Sequence, residues 1–220
     1  AWSRYTALIG LLIAWVFFVR AVMDFNQTGA IETQIGMIAL HIDGISLLLC
    51  AVVLTLSSAV TVYSARYMAG ETGEEKYYAL LIAITGAMIG LACAADLFNL
   101  WVWFETMTIA SFLLVVFYTE RRAALEAGVK YLIQSAIGSV LVLFGVALTF
   151  ALTGTLRLEA IRQSADSPAL LSAGALFVIG FGVKIALVPL HTWLPDAHTQ
   201  APSGISAMLS GVVIEAGLIA

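Results

Sequence analysis

Runs of about 20 mostly apolar residues recur along this chain, and that is the length an α-helix needs to cross the hydrocarbon core of a bilayer. Seven such runs cover residues 5–23, 44–65, 77–95, 98–118, 129–152, 169–190 and 203–220. Membrane-barrel strands would alternate apolar and polar residues, and these runs do not. The segments between them are short, which predicts an all-α fold: one polytopic transmembrane helical bundle over 1–220. With 61% hydrophobic and 11% charged residues, the chain is far from the roughly 25% charged content of a soluble domain. A soluble enzyme and a secreted disulfide scaffold are excluded. The net charge of −4 leaves no basic surplus for phosphates and excludes a nucleic-acid binder. Cys50 and Cys93 lie in apolar runs and read as small buried hydrophobes, not as a bridge or a metal pair.

Cytoplasmic loops are enriched in Lys and Arg. Arg4, Arg66, Lys76, Arg121, Arg122 and Lys130 fall on one side of the predicted bundle, against Arg20, Arg157 and Arg162 on the other. The expectation is an integral, multi-pass protein of a bacterial or archaeal inner membrane with residue 1 on the cytoplasmic side. The chain starts at Ala1, shows no signal-peptide pattern and stops inside an apolar run, so it is expected to be a piece of a longer subunit.

Ionisable groups inside the runs are the informative residues, because a charge at the centre of a membrane helix costs about 2.5–3.5 kcal/mol on insertion scales. Glu105 sits in the middle of the fourth run, with Thr108 one turn on. It must be neutralised by a proton or meet a cation from another helix. Lys184 is a candidate cation near the end of the sixth run. Gly180 and Gly182 allow close backbone approach there, and Pro189 removes a backbone hydrogen bond, so the helix is expected to kink or break near the lysine. Freed carbonyls and a half-helix end beside a charge form a recurrent ion-site architecture. Glu215 is the third buried-charge candidate. Lys130, one turn from Gln134, reads equally as a proton-path residue or as a lysine snorkelling to the interface.

The histidines are His41, His191 and His198. His41 is expected in a loop and the other two flank Pro195, a placement that disfavours haem ligation across two helices. A zinc site from His191, Asp196 and His198 lacks the tight spacing of a strong metal motif. His191 suits proton relay from the end of a charged path, with a capping role as the alternative. The aromatics of 101–104 and Trp193 read as packing and interface anchors. The expectation is no cofactor and no metal.

Three stretches resemble one known family. Asp96-Leu-Phe-Asn-Leu-Trp-Val-Trp-Phe-Glu105 is similar to its fifth helix, Lys184-Ile-Ala-Leu-Val-Pro-Leu-His-Thr-Trp-Leu-Pro-Asp-Ala-His198 to its broken seventh, and Gln200-Ala-Pro-Ser-Gly-Ile-Ser-Ala-Met-Leu-Ser-Gly to the start of its eighth. The family comprises the antiporter-like membrane subunits of respiratory complex I, of Mrp-type cation/proton antiporters and of membrane-bound hydrogenases. The similarity runs from about Asp43 to the end, and the seven runs then correspond to family helices two to eight.

The resemblance implies an inverted-repeat fold with a buried polar axis, along which Glu105 pairs with Lys184 and protons move as that pair is made and broken. It implies a proton-translocating subunit, with exchange for sodium left open. The partners are the lipid bilayer and other membrane subunits, flavin and iron–sulfur centres lie elsewhere, and there is no bond-making chemistry in this chain. The family usually carries a lysine in its eighth helix, where this sequence has Glu215. The alternatives are a non-conducting structural subunit of the same kind of complex and, disfavoured by the histidines, a haem-bearing electron carrier.

Overall fold

The computed structural model describes residues 2–36, 38–163 and 168–219. Among them, five helices are long and apolar enough to cross a membrane: α1 (Ser3–Thr28), α2 (Gly44–Tyr67), α3 (Glu74–Ala92), α4 (Leu97–Val115) and α5 (Arg122–Thr153). The protein is an all-α polytopic membrane bundle. The helix starts have local causes, since the carboxylates of Asp43 and Asp96 accept hydrogen bonds from the backbone N–H of Ser46 and Asn99, both at 2.8 Å. Each thereby satisfies an orphan donor of a first helical turn.

The sixth run is helical only in its first part. A short helix α6 (Leu158–Gln163) precedes α7 (Leu170–Lys184), which stops six residues before the run does. Fifteen residues rise about 22 Å, short of the roughly 30 Å hydrocarbon core. The chain then turns irregularly, forms α8 (Leu194–Gln200), and enters a last helix built from α9 (Ser203–Met208), a π-helical turn (Leu209–Val213) and α10 (Ile214–Ile219).

Helices α3 and α4, and α5 and α7, pack most extensively, with α2 against α3 and α1 against α2 and α3. The core runs through Leu54, Tyr77, Leu81, Ile84, Met88, Met107 and Phe104. By contrast α1 buries only Ala7 and Leu11. Its exposed Leu12, Ile13, Val16 and Phe17 form a face suited to lipid.

A two-stranded antiparallel hairpin, β1 (Ile31–Ile35) and β2 (Ile38–Ile42), lies outside the bundle. The sequence pattern read 24–43 as plain connection. His41 therefore sits on a strand and not in a loop, opposite Glu32, with its Nδ1 3.6 Å from that carboxylate. The hairpin caps one end of the bundle through backbone bonds from His41 N–H to Cys93 O and from Ala95 N–H to Ala39 O. At the other end the start of α1 meets the end of α2 and the start of α3, where Arg4 donates to Ala65 O and Ser3 to Glu74. Cys50 and Cys93 are free thiols, both buried, with sulfurs 4.0 Å apart.

Candidate functional site around the broken helix

The break after Lys184 is a C-cap. Ala186 adopts a left-handed conformation (φ 53°), and the backbone N–H of Leu187 and Ala186 donate to Gly182 O at 2.8 Å and Val183 O at 3.2 Å. This pair of bonds is the Schellman arrangement, with alanine where glycine is usual. Trp193, fully buried, also donates from its indole Nε1 to Val183 O at 2.8 Å. The carbonyls freed at the end of α7 thus find donors within the following segment. The Val188–Pro189 peptide is cis.

Close crossing of α5 and α7 holds this end in place. A Cβ on Gly138 would lie 2.8 Å from Gly180 O, and one on Gly180 would lie 2.7 Å from Gly138 O, so only glycine fits at either position. Gly182 is not part of that contact; the returning Leu187 and Leu190 lie over it.

One turn beyond the crossing, the Lys184 side chain is 1% exposed. Its ammonium donates to Thr108 Oγ1 at 3.3 Å and to the Tyr131 hydroxyl. It lies 4.9 Å from the Tyr131 ring centroid and 6.0 Å from that of Phe104. The charge is therefore solvated by two hydroxyls, with the Phe104 ring at the edge of cation–π range.

Glu105 is half-buried one turn before Thr108, on a neighbouring part of the α4 surface. Its Oε1 is buried and has no hydrogen-bond partner. Among the described residues, the ion pairs within 4.0 Å are His41–Glu32, Arg157–Glu32, Lys130–Glu126 and Lys130–Asp196. Glu105 thus lies on α4 one turn from Thr108, the hydroxyl that accepts from Lys184, and no salt bridge joins it to the lysine.

The remaining candidates are placed differently. Lys130 is exposed and bridges Glu126 and Asp196, both at 2.8 Å, so it ties α5 to α8. His191 is half-buried in the irregular segment, and its Nδ1 is buried without a partner. His198 packs Nδ1 against Ser206 Oγ at 2.6 Å, and burial lowers its proton affinity below the ordinary histidine value. Glu215 is exposed. On α10 it is Gly217 that approaches the lysine, a Cβ there standing 3.3 Å from Lys184 Cγ. Two positions away, Glu215 is turned about 200° around the helix. Among the described residues no group of three or more His, Cys, Asp or Glu could hold a metal ion.

Tyr131 is the residue that the sequence reading missed. The one signal available was the polar pattern Lys130-Tyr131 and Gln134-Ser135, whose 3–4 residue spacing brings four polar side chains close together on α5.

The long apolar helices and a lysine buried at a helix break define the class as an integral, polytopic membrane subunit. The family model described as "NADH:quinone oxidoreductase/Mrp antiporter, TM" matches residues 94–220, and the one described as "NADH-Ubiquinone oxidoreductase (complex I), chain 5 N-terminus" matches residues 33–78. The chain is 35% identical over 216 residues to NADH-quinone oxidoreductase subunit N 2 of Roseiflexus castenholzii, covering 94% of this chain and 42% of that protein. It is 31% identical to F(420)H(2) dehydrogenase subunit N of Methanosarcina mazei, covering 98% and 45%. The chain belongs to the NADH:quinone oxidoreductase/Mrp antiporter membrane-subunit family, and it spans less than half the length of these curated relatives.

Two solved structures share the fold. In the membrane-bound sulfane sulfur reductase, an archaeal respiratory membrane complex, a chain superposes with a TM-score of 0.83 at 28% identity, covering 99% of this chain and 49% of its own length. In the Mrp complex from Dietzia sp. DQ12-45-1b the TM-score is 0.86 at 23% identity, covering 99% and 43%.

Proposed function

We propose that this chain is part of a proton-translocating membrane subunit in which Glu105 takes up and releases a proton as the Lys184 ammonium moves between its hydroxyl partners and the carboxylate. The observation that carries this reading is a lysine 1% exposed, held by Tyr131 and by Thr108, the latter one turn along α4 from Glu105, whose Oε1 is buried without a hydrogen-bond partner. With Lys184 on its hydroxyls, Glu105 lacks a neutralising cation and binds a proton; with Lys184 on the carboxylate, that proton is released. A shift at the helix break thereby becomes a change in proton affinity.

His191, in the segment that follows the break, is the proposed relay toward the Lys130 end of the bundle. The basic residues gathered at that end, Arg4, Arg66, Lys76, Arg121 and Arg122, support residue 1 lying on the cytoplasmic side of a bacterial or archaeal inner membrane. The relatives' names support a place in a hetero-oligomeric NADH-quinone oxidoreductase-like or Mrp-type complex, and the sequence resemblance adds a hydrogenase-like one. Sodium is a second candidate ion for exchange with protons. The exposed Glu215 stands on the lysine's neighbouring helix, where it supplies a carboxylate for a partner segment or for a different order of transfers.

A non-conducting structural subunit is the competing reading, favoured by the absence of a direct ion pair between Glu105 and Lys184. Proton uptake by vesicles containing the whole complex separates the two. Glu105→Gln and Lys184→Ala should each abolish transport while the complex still assembles; full transport with either change leaves only the structural role.

A further inference from the structure

The segment following the helix break is fastened to one short stretch of α5. Gln134 donates to Thr192 Oγ1, Lys130 pairs with Asp196 at 2.8 Å, and the Tyr131 and Trp193 rings meet with centroids 4.6 Å apart, tilted at 45°. Of these three anchors, Tyr131 also takes a hydrogen bond from the Lys184 ammonium. Trp193, in turn, is bonded through Nε1 to Val183 O, immediately before the lysine. The same phenol ring is therefore packed on the segment and bonded to the charge.

We propose that Tyr131 is a positioning residue for proton transfer, coupling displacement of the 185–193 segment through Trp193 to the choice Lys184 makes between the phenol and Glu105. The proposal rests on the proton-transfer reading above.

A phenol oxygen is a neutral acceptor and a carboxylate a charged one; the ammonium makes both bonds charge-assisted, and the carboxylate adds an ion-pair attraction. Lys184 away from Glu105 is tolerable only where other groups solvate it, since a buried ammonium without partners is very costly. Tyr131 and Thr108 provide that solvation. They narrow the difference between the two lysine positions until a packing change of the segment can select one of them. The titratable group in contact with the lysine is Tyr131 on α5; Glu105 lies one turn from Thr108 on α4 and His191 in the segment itself, whereas α10 presents Gly217 and carries Glu215 exposed.

The test uses the full-length subunit in its assembled complex, reconstituted into vesicles, with proton transport followed across pH. Tyr131→Phe keeps the ring and removes the acceptor. Transport at neutral pH should fall roughly tenfold, and the alkaline limb of the profile should move down by about one pH unit, because the ammonium has lost a partner. Trp193→Phe should act in the same direction by about threefold alone and add little in the Tyr131→Phe background, because its influence passes through the phenol. A role confined to packing predicts less assembled complex with an unmoved pH profile; that result, or additive effects of the two changes, overturns the proposal. If Tyr131→Phe does not assemble, 3-fluorotyrosine at position 131 preserves the shape and weakens the oxygen as an acceptor, and a limb that stays in place overturns the proposal equally. Lys184→Ala run alongside separates the two readings: retained transport there removes the proton-transfer reading itself, whereas lost transport with an unshifted Tyr131→Phe profile removes only the role of Tyr131.

Discussion

The seam between α2 and α3 and the junction of α5 with the end of α7 both bury polar side chains at bilayer depth, yet they satisfy them differently. In the seam, Ser57 and Thr85 share a hydrogen bond of 2.9 Å, Ser64 and Tyr77 one of 2.7 Å, and Thr61 and Thr85 donate to carbonyls of their own helices. Neutral hydroxyls need little, and the backbone one turn away supplies it. Around the helix break, one ammonium is held by two neutral hydroxyls, while Glu105 Oε1, Gln134 Oε1, Ser135 Oγ and His191 Nδ1 are buried without hydrogen-bond partners. Such groups are rare in folded proteins and mark places where stability has yielded to another requirement. The seam fastens helices together; on the proposed function the junction keeps acceptors in reserve for a charge that changes partners.

The sharpest way to break this contrast is Lys184→Met, which keeps the stem and removes the charge. The change removes the desolvation cost of a buried ammonium, which offsets the loss of its hydrogen bonds to Thr108 and Tyr131. The expected outcome is an assembled complex with an unchanged or raised melting temperature and no proton transport. A complex that falls apart would mean that the ammonium holds the junction together, as the hydroxyls hold the seam.

Ser57→Ala probes the other region. It removes one interhelical hydrogen bond while Thr85 keeps its bond to Leu81 O at 2.6 Å, so the loss should be about 0.6–1 kcal/mol in thermal unfolding. Transport should be unchanged per assembled complex. A large transport defect at wild-type stability would place the seam on the ion path and erase the distinction.

The sequence disclosed the two regions unequally. The seam follows from apolar runs in which Ser and Thr interrupt nothing, and the break at the lysine was legible because Lys184 and Pro189 each resist an ordinary membrane helix. The apolar run nevertheless extends past the break to residue 190, since residues 185–190 are as apolar unwound as they are helical. The left-handed cap also falls on Ala186, which carries none of glycine's signal. The hairpin was hidden because Ile31–Ile35 and Ile38–Ile42 were read as connection, although Gly36 with a positive φ of 63° turns between them. Tyr131 was hidden by its neighbour: Lys130 drew attention as the charge, but it faces α8 at the surface, whereas the phenol beside it reaches the buried lysine. Contacts between helices distant in sequence carry no local pattern, so a site made of α4, α5 and α7 is readable only at its charged members.

The smallest effect concerns where α2 begins, and it tests whether a seam helix depends on ordinary capping as well as on its packing. Asp43 accepts from Ser46 N–H at 2.8 Å and from Ser46 Oγ at 2.9 Å. Those bonds, the backbone one foremost, hold its carboxyl below the ordinary aspartate value despite the opposing effect of burial. A carboxyl whose proton affinity is lowered on folding stabilises fully above its unfolded value, about pH 4, and ceases to do so as pH falls through the lowered folded value. Asp43→Ala should therefore cost about 1 kcal/mol at neutral pH, with the gap to the wild-type protein closing below about pH 4. Asp43→Asn, which caps without ionising, should lie near the wild type at neutral pH and show no such acid-dependent change. Melting curves of the three proteins between neutral and acid pH decide it: a gap that persists unchanged into acid would show that the Asp43 carboxylate charge contributes nothing to the start of α2.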